Sequence, residues 1–298
     1  MADRITVIGS ANTDLVIHSP KMPLLGETLT GSNFQINAGG KGLNQAVAIS
    51  KLGGRVSFLG SVGNDSNGAF LLEQLSKSKV DFKGIKDADT STGIAMITVV
   101  NGNNFIVINP GANNKLTPAI IDENEALIAE SGYCVMQLEI PVETVARVCE
   151  IAKKHGTKTV LNPAPCRKLP DGLLSGIDYL IPNEHEARDI TGIYPDDEES
   201  CRKAISKLKE YGVGNVIITL GERGCAYTDG DKIVFRAAEK ADVVDTTSAG
   251  DCFIGALISK LSRNEGIKKA VDFATKAAAI AVSREGASAS IPFEEEVR

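Results

Sequence analysis

Asp251 stands at the head of an apolar helix pattern, where a carboxylate could take a proton from an attacking hydroxyl. Residues 244–258 read VDTTSAGDCFIGALI. A β-branched run ends at Asp245, and a turn of small residues follows, Thr246-Thr247-Ser248-Ala249-Gly250. Apolar residues then recur at 253, 254, 257, 258 and 261, the spacing of one helix face. The pattern predicts a strand, a tight turn, and a helix that carries the carboxylate in its first positions. Successive backbone N–H groups at a helix start make an anion site. Beside such a site a carboxylate can serve as general base for phosphoryl transfer to an alcohol. A capped helix leaves the same trace, because Asp is a common N-cap. On this segment alone the two readings stand level.

Other polar groups are spaced for ligands. Gly39-Gly40-Lys41-Gly42-Leu43-Asn44 precedes a helix pattern with Ala46, Val47, Ile49 and Leu52. Consecutive glycines let backbone approach a ligand closely, and a flexible turn would read the same way. The segment lacks P-loop spacing. Asn12 and Asp14 follow the first strand pattern, RITVIGS. An amide and a carboxylate two apart suit paired hydrogen bonds to sugar hydroxyls, or else an Asx-turn that ends the strand. Asn183-Glu184-His185-Glu186 opens a helix directly after YLIP. Its Asn and Glu could hold magnesium water or phosphate oxygens, or form a solvated helix start, with His185 at the surface. Thr219-Leu220-Gly221-Glu222-Arg223-Gly224 follows another buried strand. It could meet nucleotide phosphate or ribose, or be a strand–strand turn.

These residues need elements to position them. From about residue 115 onward helical patterns alternate with apolar strands. Helix-like stretches are 117–130, 142–155, 197–211, 250–262 and 266–284. Strand-like runs are YCVMQL (133–138), KTVLN (158–162), YLIPN (179–183) and NVIITL (215–220). Runs apolar on both faces suit a parallel sheet covered by helices, a doubly wound α/β architecture. RITVIGS (4–10) and VSFLGSV (56–62) read as strands of the same mostly parallel sheet. Two segments break the alternation. Residues 12–38 carry no helix signal, and 93–109 read GIAMITVVNGNNFIVIN, with Asn101-Gly102 between two β-rich runs, a hairpin signal. Both are expected to form a small β-sheet, inserted at about 12–38 and 93–110 of one α/β domain spanning 1–298. A small sheet with open edges and one apolar face needs cover. It could close over a substrate as a lid, pair with a second subunit, or do both.

Composition narrows the function classes. The 298 residues carry a net charge of −6, against the basic patch of a nucleic-acid binder. No stretch reaches the roughly 18 apolar residues of a membrane span. The start, MADRITVIGS, is a charged residue cluster and a short strand rather than a signal peptide, so the expected compartment is the cytosol. Cys134, Cys149, Cys166, Cys201, Cys225 and Cys252 form no C-x-x-C, and three histidines are present. Neither a zinc site nor disulfides are expected. Cys252, beside Asp251 at a helix start, reads as a packed small residue or a reactive thiol.

In this order, the segments resemble the ribokinase family of carbohydrate kinases nearly end to end. The runs that carry the resemblance are GSANTDL (9–15), NAGGKGLNQAVA (37–48), GANNKLTP (111–118), MQLEIP (136–141), LNPAP (161–165), PNEHEA (182–187), ITLGERG (218–224), DTTSAGD (245–251) and AAAIAVSREGA (277–287). The glycine-rich and DTTSAGD motifs are family-wide, while GANNKLTP and LNPAP point to its ribose-phosphorylating members. The resemblance implies ATP-dependent phosphorylation of D-ribose at its 5-hydroxyl to give D-ribose 5-phosphate. It implies Asp251 as base, with the N–H groups of Ala249, Gly250 and Asp251 as the anion hole. Asn12, Asp14, Gly40, Lys41, Asn44 and Glu139 would hold the sugar, and Asn183 and Glu186 would position phosphate and, indirectly, Mg2+. Residues 219–224 and Thr275 would contact ATP. Asp245, Thr247, Ala281, Arg284, Gly286 and Ser290 would hold K+, several through backbone oxygens. A homodimer through the small sheet is expected. Many relatives have glycine where this chain has Ser248, and a positive φ there would strain serine. An ordinary Asp, pKa about 3.9, would be a weak base that accepts its proton late in transfer.

Substrate class can be argued without the family. A sugar phosphate would need cations near its phosphate, yet residues 25–40 and 93–114 of the expected lid contain neither Lys nor Arg before Lys115. A nucleoside would want aromatic stacking, and the lid segments offer only Phe34 and Phe105. A neutral sugar fits best. The alternatives are a kinase for another neutral sugar or a nucleoside, or a sugar-binding protein without catalysis. A Rossmann oxidoreductase is disfavoured, because Gly9-Ser10-Ala11-Asn12-Thr13-Asp14 is not G-x-G-x-x-G.

Overall fold

The structure is a computed structural model and describes residues 3–87 and 89–297. In chain order it opens with β1 (Arg4–Ile8), β2 (Asn12–His18), β3 (Ser32–Gly39), α1 (Lys41–Lys51), β4 (Arg55–Leu59), β5 (Ser61–Gly63) and α2 (Ser66–Lys77). Next come β6 (Asp81–Phe82), β7 (Ile85–Asp87), β8 (Gly93–Val100), β9 (Asn103–Asn109), α3 (Pro118–Glu123), α4 (Glu125–Ala129), β10 (Tyr133–Met136) and α5 (Val142–His155). The rest is β11 (Lys158–Leu161), β12 (Tyr179–Leu180), α6 (Glu184–Thr191), α7 (Glu198–Glu210), β13 (Asn215–Thr219), β14 (Cys225–Asp229), β15 (Lys232–Arg236), α8 (Ala249–Leu261) and α9 (Ile267–Val282).

A nine-stranded sheet runs β15-β14-β13-β12-β11-β10-β1-β4-β6. It is parallel from β13 to β6, and β14 and β15 add an antiparallel edge. Side chains alternate across a strand, so each apolar strand feeds two cores. Ile5, Val7, Val135 and Val160 pack with α1, α8 and α9. Ile8, Cys134, Met136 and Leu161 pack on the other face, with α5 and α7. Burying each large aliphatic side chain contributes about 1.5–3 kcal/mol. That double burial is why these runs read as apolar throughout rather than alternating.

The segments without helix signal form a separate four-stranded sheet, β3-β2-β8-β9. Asn101 at φ 50° and Gly102 at φ 78° close the β8–β9 turn, as the Asn-Gly pair predicts. The small sheet joins the large one at β1–β2, where the chain turns over within Gly9–Ala11.

Several elements differ from the sequence expectations. No strand precedes Asp245: β15 ends at Arg236, and the segment up to Ser248 is irregular, held by Val244 and Asp245 N–H groups on the Val282 carbonyl. The helix expected over 117–130 is two, α3 and α4, because Asn124 Nδ2 donates to the Ile120 carbonyl at 2.8 Å and competes with helix continuation. The strand expected over 179–183 pairs only at Tyr179 and Leu180; Pro182 cannot donate to a ladder. Asn12 and Asp14 end no strand with an Asx-turn but lie inside β2. Helix α2 and the β14–β15 hairpin, not foreseen from the sequence, complete the edges.

Candidate active site

Ten of the thirteen residues of α8 are buried, Asp251 at 7% exposure among them. A helix apolar on every side is clamped by its neighbours, and α8 crosses α1 closely. A Cβ on Gly255 would collide with the Cβ of Ala48 and lie 2.9 Å from the Ile49 nitrogen. The glycine lets the two helices approach, and one turn earlier this brings α1 onto Asp251. There Gln45 Nε2 donates to Asp251 Oδ1 at 2.9 Å, and Asn44 Nδ2 to Oδ2 at 3.3 Å. Burial pushes the Asp251 carboxyl above the usual carboxylate range; the Lys41 ammonium and the Gln45 and Asn44 donors oppose that rise, and Glu139 adds to it. Asp251 is therefore a stronger base than the ordinary Asp assumed from sequence.

The turn before α8 is built for an open helix head. Ser248 adopts φ 61°, a left-handed conformation, and gives α8 no side-chain cap. Such backbone costs serine roughly 1–3 kcal/mol. Its Oγ accepts from Asn44 Nδ2 at 2.9 Å, which offsets part of that. The Ala249 N–H turns back to the Thr246 carbonyl at 3.3 Å, so of the three expected anion-hole donors it is partly engaged. The Gly250 and Asp251 N–H groups lie in the first turn, where no intrahelical acceptor exists. A Cβ on Gly250 would meet nothing within 4 Å, so the space over this turn is open.

The glycine-rich segment packs against the β1–β2 turn. A Cβ on Gly42 would lie 2.6 Å from the Ser10 nitrogen, and one on Gly40 2.8 Å from the Asn12 nitrogen. A side chain on Gly39 would occupy the place of the Asp14 carboxylate. Glycine is needed here for close approach, which separates this segment from a merely flexible turn. Glu139 ties the pieces together: its Oε2 accepts from Ser10 Oγ at 2.5 Å and from the Lys41 N–H at 3.0 Å. Asn12 Oδ1 accepts from Asn113 Nδ2 at 2.7 Å, and Asn113 Oδ1 accepts from the Ala11 N–H. Asn44 Oδ1 is buried without a partner, an acceptor left for a ligand hydroxyl.

Charge concentrates in this cleft. Asp14 is raised to about 7 by burial, with Glu139 and Asp251 adding like charge. Burial opposes the charge on Lys41, but Asp251, Glu139 and Glu186 outweigh it and hold the ammonium protonated. Asn12, Asp14, Gly40, Lys41, Asn44, Glu139 and Asp251 thus lie together in one part of the fold. Sequence reasoning missed Ser10, Gln45, Asn113, Gln137 and Asn162; the available signal was polar residues interrupting apolar runs. Cys252 is fully buried, and burial pushes its thiol up to about 12, which leaves it a packed residue.

The other candidate residues follow β12 and β13. Asn183 caps α6 reciprocally: its Oδ1 accepts from the Glu186 N–H at 2.9 Å, and Glu186 Oε2 accepts from the Asn183 N–H at 2.9 Å. Burial raises the Glu186 carboxyl, which the Asn183 N–H and Lys41 oppose. The loop from Thr219 to Gly224 is a short 3-10 turn between antiparallel strands, closed by the Leu220 N–H on the Gly224 carbonyl at 2.8 Å. Arg223 is anchored on Glu184 at 2.9 Å and on the Pro195 carbonyl at 2.7 Å, while Gly221 and Glu222 are exposed. Thr275 is buried in α9 and donates to the Val271 carbonyl at 2.9 Å.

Asp245 clasps two loops. Its Oδ1 accepts from the Thr247 N–H at 2.8 Å and its Oδ2 from the Gly286 N–H at 3.1 Å, which hold the carboxyl below its usual range against the burial that would raise it. The Ala281 carbonyl accepts from the Arg284 N–H, and the Arg284 side chain pairs with Glu296 at 2.7 Å. Ser290 Oγ donates to the Ala287 carbonyl at 2.9 Å. The donor set is carboxylate, carbonyl and hydroxyl oxygen, which suits a hard cation. Among the described residues no three His, Cys, Asp or Glu groups cluster as metal ligands. A magnesium ion held mainly by water and phosphate oxygens needs no such cluster, so Glu186 fits an indirect role.

The arrangement sets polar groups of β2 and α1 beside the open head of α8, whose first turn carries the buried Asp251 carboxyl. Such a site suits an α/β kinase acting on alcohols. Comparison with known proteins agrees. The description "pfkB family carbohydrate kinase" matches residues 2–294. The chain is 41% identical to Haemophilus influenzae ribokinase, covering 99% of this chain and 97% of that protein. It is 36% identical to Salmonella typhi deoxyribokinase, covering 97% and 95%. The structure of Arabidopsis thaliana ribokinase complexed with ribose and ATP superposes with a TM-score of 0.93 at 32% identity, covering 100% and 98%. The chain belongs to the pfkB family of carbohydrate kinases.

Proposed function

We propose that this protein transfers the γ-phosphoryl group of ATP to the 5-hydroxyl of D-ribose. The observation that carries the reading is Asp251: a buried carboxylate at an open helix head, facing Asp14 and Lys41 across one cleft. The sugar lies against Asp14, Gly40, Asn44 and Glu139, with its secondary hydroxyls on Asp14 and its hydroxymethyl group toward Asp251. The proton leaves the 5-hydroxyl for an Asp251 oxygen as the new oxygen–phosphorus bond forms and the bond from the γ-phosphorus to the β–γ bridging oxygen breaks, releasing ADP. The Gly250 and Asp251 N–H groups, with Ala249, receive the charge of the transferring phosphoryl, where preorganised donors act most strongly. Lys41, kept protonated by its acidic neighbours, adds a positive charge on the same side.

ATP reaches this point along α6 and the loop of 219–224, with Asn183 and Glu186 at its phosphates and Thr275 nearby. Glu186 would position water of a bound Mg2+, an ion that would supply neutralising charge at the phosphates. K+ would rest against Asp245, Thr247, Ala281, Arg284, Gly286 and Ser290, and steady the turn that leads into α8. The cation-free composition of β3, β8 and β9 supports a neutral sugar beneath a lid that is an insert in one α/β domain. The relatives' names divide between ribose and deoxyribose kinases, so substrate profile is the test. ADP release should be fastest with D-ribose against 2-deoxyribose, fructose, adenosine and fructose 6-phosphate, and should fall when K+ is replaced. Preference for another acceptor would replace ribose in this reading while leaving the chemistry of Asp251 in place.

The small sheet supports a homodimer. By register, Ile17, Phe34, Ile36, Met96, Phe105 and Val107 share the face opposite Asp14. They are exposed, Met96 by 62% and Val107 by 71%, and an apolar patch of this kind marks an interface. A second copy would cover it, leaving the Asp14 face turned to the sugar. Light scattering at working concentration should give twice the chain mass; a monomer mass would contradict the dimer. No described helix is long and apolar enough to cross a membrane, and six unpaired cysteines suit a reducing cytosol.

A further inference from the structure

Behind Asp251 lies a buried chain of side-chain amides that the reaction as described does not use. Gln45 and Gln137 are both fully buried. Gln137, just past the end of β10, donates through Nε2 to Gln45 Oε1 at 2.6 Å. Gln45 then has only its NH2 end to offer, and it donates to Asp251 Oδ1 at 2.9 Å and to Asn162 Oδ1 at 3.3 Å. Asn162, past the end of β11, donates in turn to the Ile181 carbonyl at 3.0 Å. Gln137 Oε1 ends the chain as a buried oxygen without a partner, against Gly9, where a Cβ would displace it.

An amide has one donor end and one acceptor end. Because Gln137 fixes which end of Gln45 is which, Asp251 meets a donor and never an oxygen. A donor stabilises the ionised carboxyl, whereas an oxygen in the same place would demand that Asp251 carry a proton. The orphaned oxygen of Gln137 is informative. Turning both amides over would leave the Gln137 NH2 in that place instead, and would aim Gln45 Oε1 at Asp251.

We infer that Gln45, with its amide turned by Gln137, is a positioning residue that holds Asp251 ionised and aimed at the sugar hydroxyl. Gln45 is fully buried, so it acts through Asp251 rather than on a ligand directly. The inference rests on Asp251 being the base. The charged and titratable groups facing Asp251 are Lys41 from α1, Glu139 after β10, Asp14 from β2, Glu186 from α6 and the neighbouring Cys252. Asp14, as a sugar ligand, should titrate in the KM for ribose; Asp251 should titrate in kcat.

The test is the pH profile of kcat at saturating ribose and MgATP for Gln45→Met and Gln137→Met, both close in volume to glutamine. In Gln45→Met the acidic limb of kcat should move up by at least about one pH unit, kcat at neutral pH should fall about tenfold or more, and the KM for ribose should change less than about threefold. Gln137→Met should move the limb the same way by less. Loss of packing alone would lower the melting temperature without moving the limb, and an unmoved limb in folded Gln45→Met overturns the inference. Should Gln45→Met fail to fold, Gln137→Met decides on the same readout. Asp251→Asn run alongside separates the two levels. Retained turnover there removes the base itself, while lost turnover with an unmoved limb in the glutamine variants removes only the positioning role.

Discussion

Asp251→Asn should bind ribose and MgATP nearly as the unaltered protein does, yet turn over at least about 10³-fold more slowly. The amide keeps the shape of the carboxyl but cannot take a proton from the 5-hydroxyl. Its NH2 would also face one of the two donors, Gln45 or Asn44, that lie within 3.3 Å of the carboxylate oxygens. General-base catalysis contributes about 10²–10⁴-fold, and misalignment beside the helix head adds to the loss. The fold should survive. Burial raises the carboxyl of Asp251, so the charge is held at a cost in the folded state, and a neutral side chain relieves it above the acid range. Initial rates together with calorimetric ribose binding check this. Turnover within tenfold of normal would show that another group takes the proton.

A second large effect is expected at Asp14, with opposite signs for function and stability. Two hydroxyl hydrogen bonds to an ionised acceptor contribute about 1.5–3 kcal/mol each. Asp14→Asn retains part of them, so the KM for ribose at pH 8 should rise about 10–100-fold with a smaller change in kcat. The same substitution should stabilise the protein at pH 8. Burial, with the like charges of Glu139 and Asp251, pushes the Asp14 carboxyl from its ordinary 3.8 up to about 7 in the fold. The native state therefore binds the extra proton between those values, and stability falls as pH rises from about 4 to about 7 and stays lowered above. Asparagine removes that penalty. The gain should be about 1–3 kcal/mol at pH 8 and should vanish at pH 4. Thermal melts at the two pH values check it; an equal difference at both would show that Asp14 carries no such charge penalty.

Much of this was legible in the chain. Residues apolar on both faces of a strand can only belong to a covered sheet, so the runs around Val135 and Val160 revealed the architecture. Asn101-Gly102 revealed the hairpin because its turn demands positive φ. Val243-Val244-Asp245 misled, since β-branched residues also occur in exposed irregular chain; Val243 is 65% exposed. Asn124 broke a helix through its own side chain, which an apolar period does not register. In the site, Asp251 was readable from its place at a helix start, and the glycines of 39–42 were readable as a turn. What they approach was not. The packing of Gly42 on Ser10 and of Gly255 on Ala48 joins residues 32 and 207 positions apart. The environment of Asp251 likewise comes from Gln45, Gln137 and Glu139, whose pairing no local spacing encodes. The positive φ of Ser248 was anticipated as a source of strain; its bond to Asn44 was not.

The most direct measurement is the position of phosphate on the product. The protein should be incubated with D-ribose and MgATP, and the product analysed by phosphorus–proton correlation NMR. The expected result is phosphate coupled to the two C5 methylene protons, formed one for one with ADP. Phosphate on the anomeric carbon or on a ring hydroxyl, or ADP formed without any sugar phosphate, would contradict transfer to the 5-hydroxyl at Asp251.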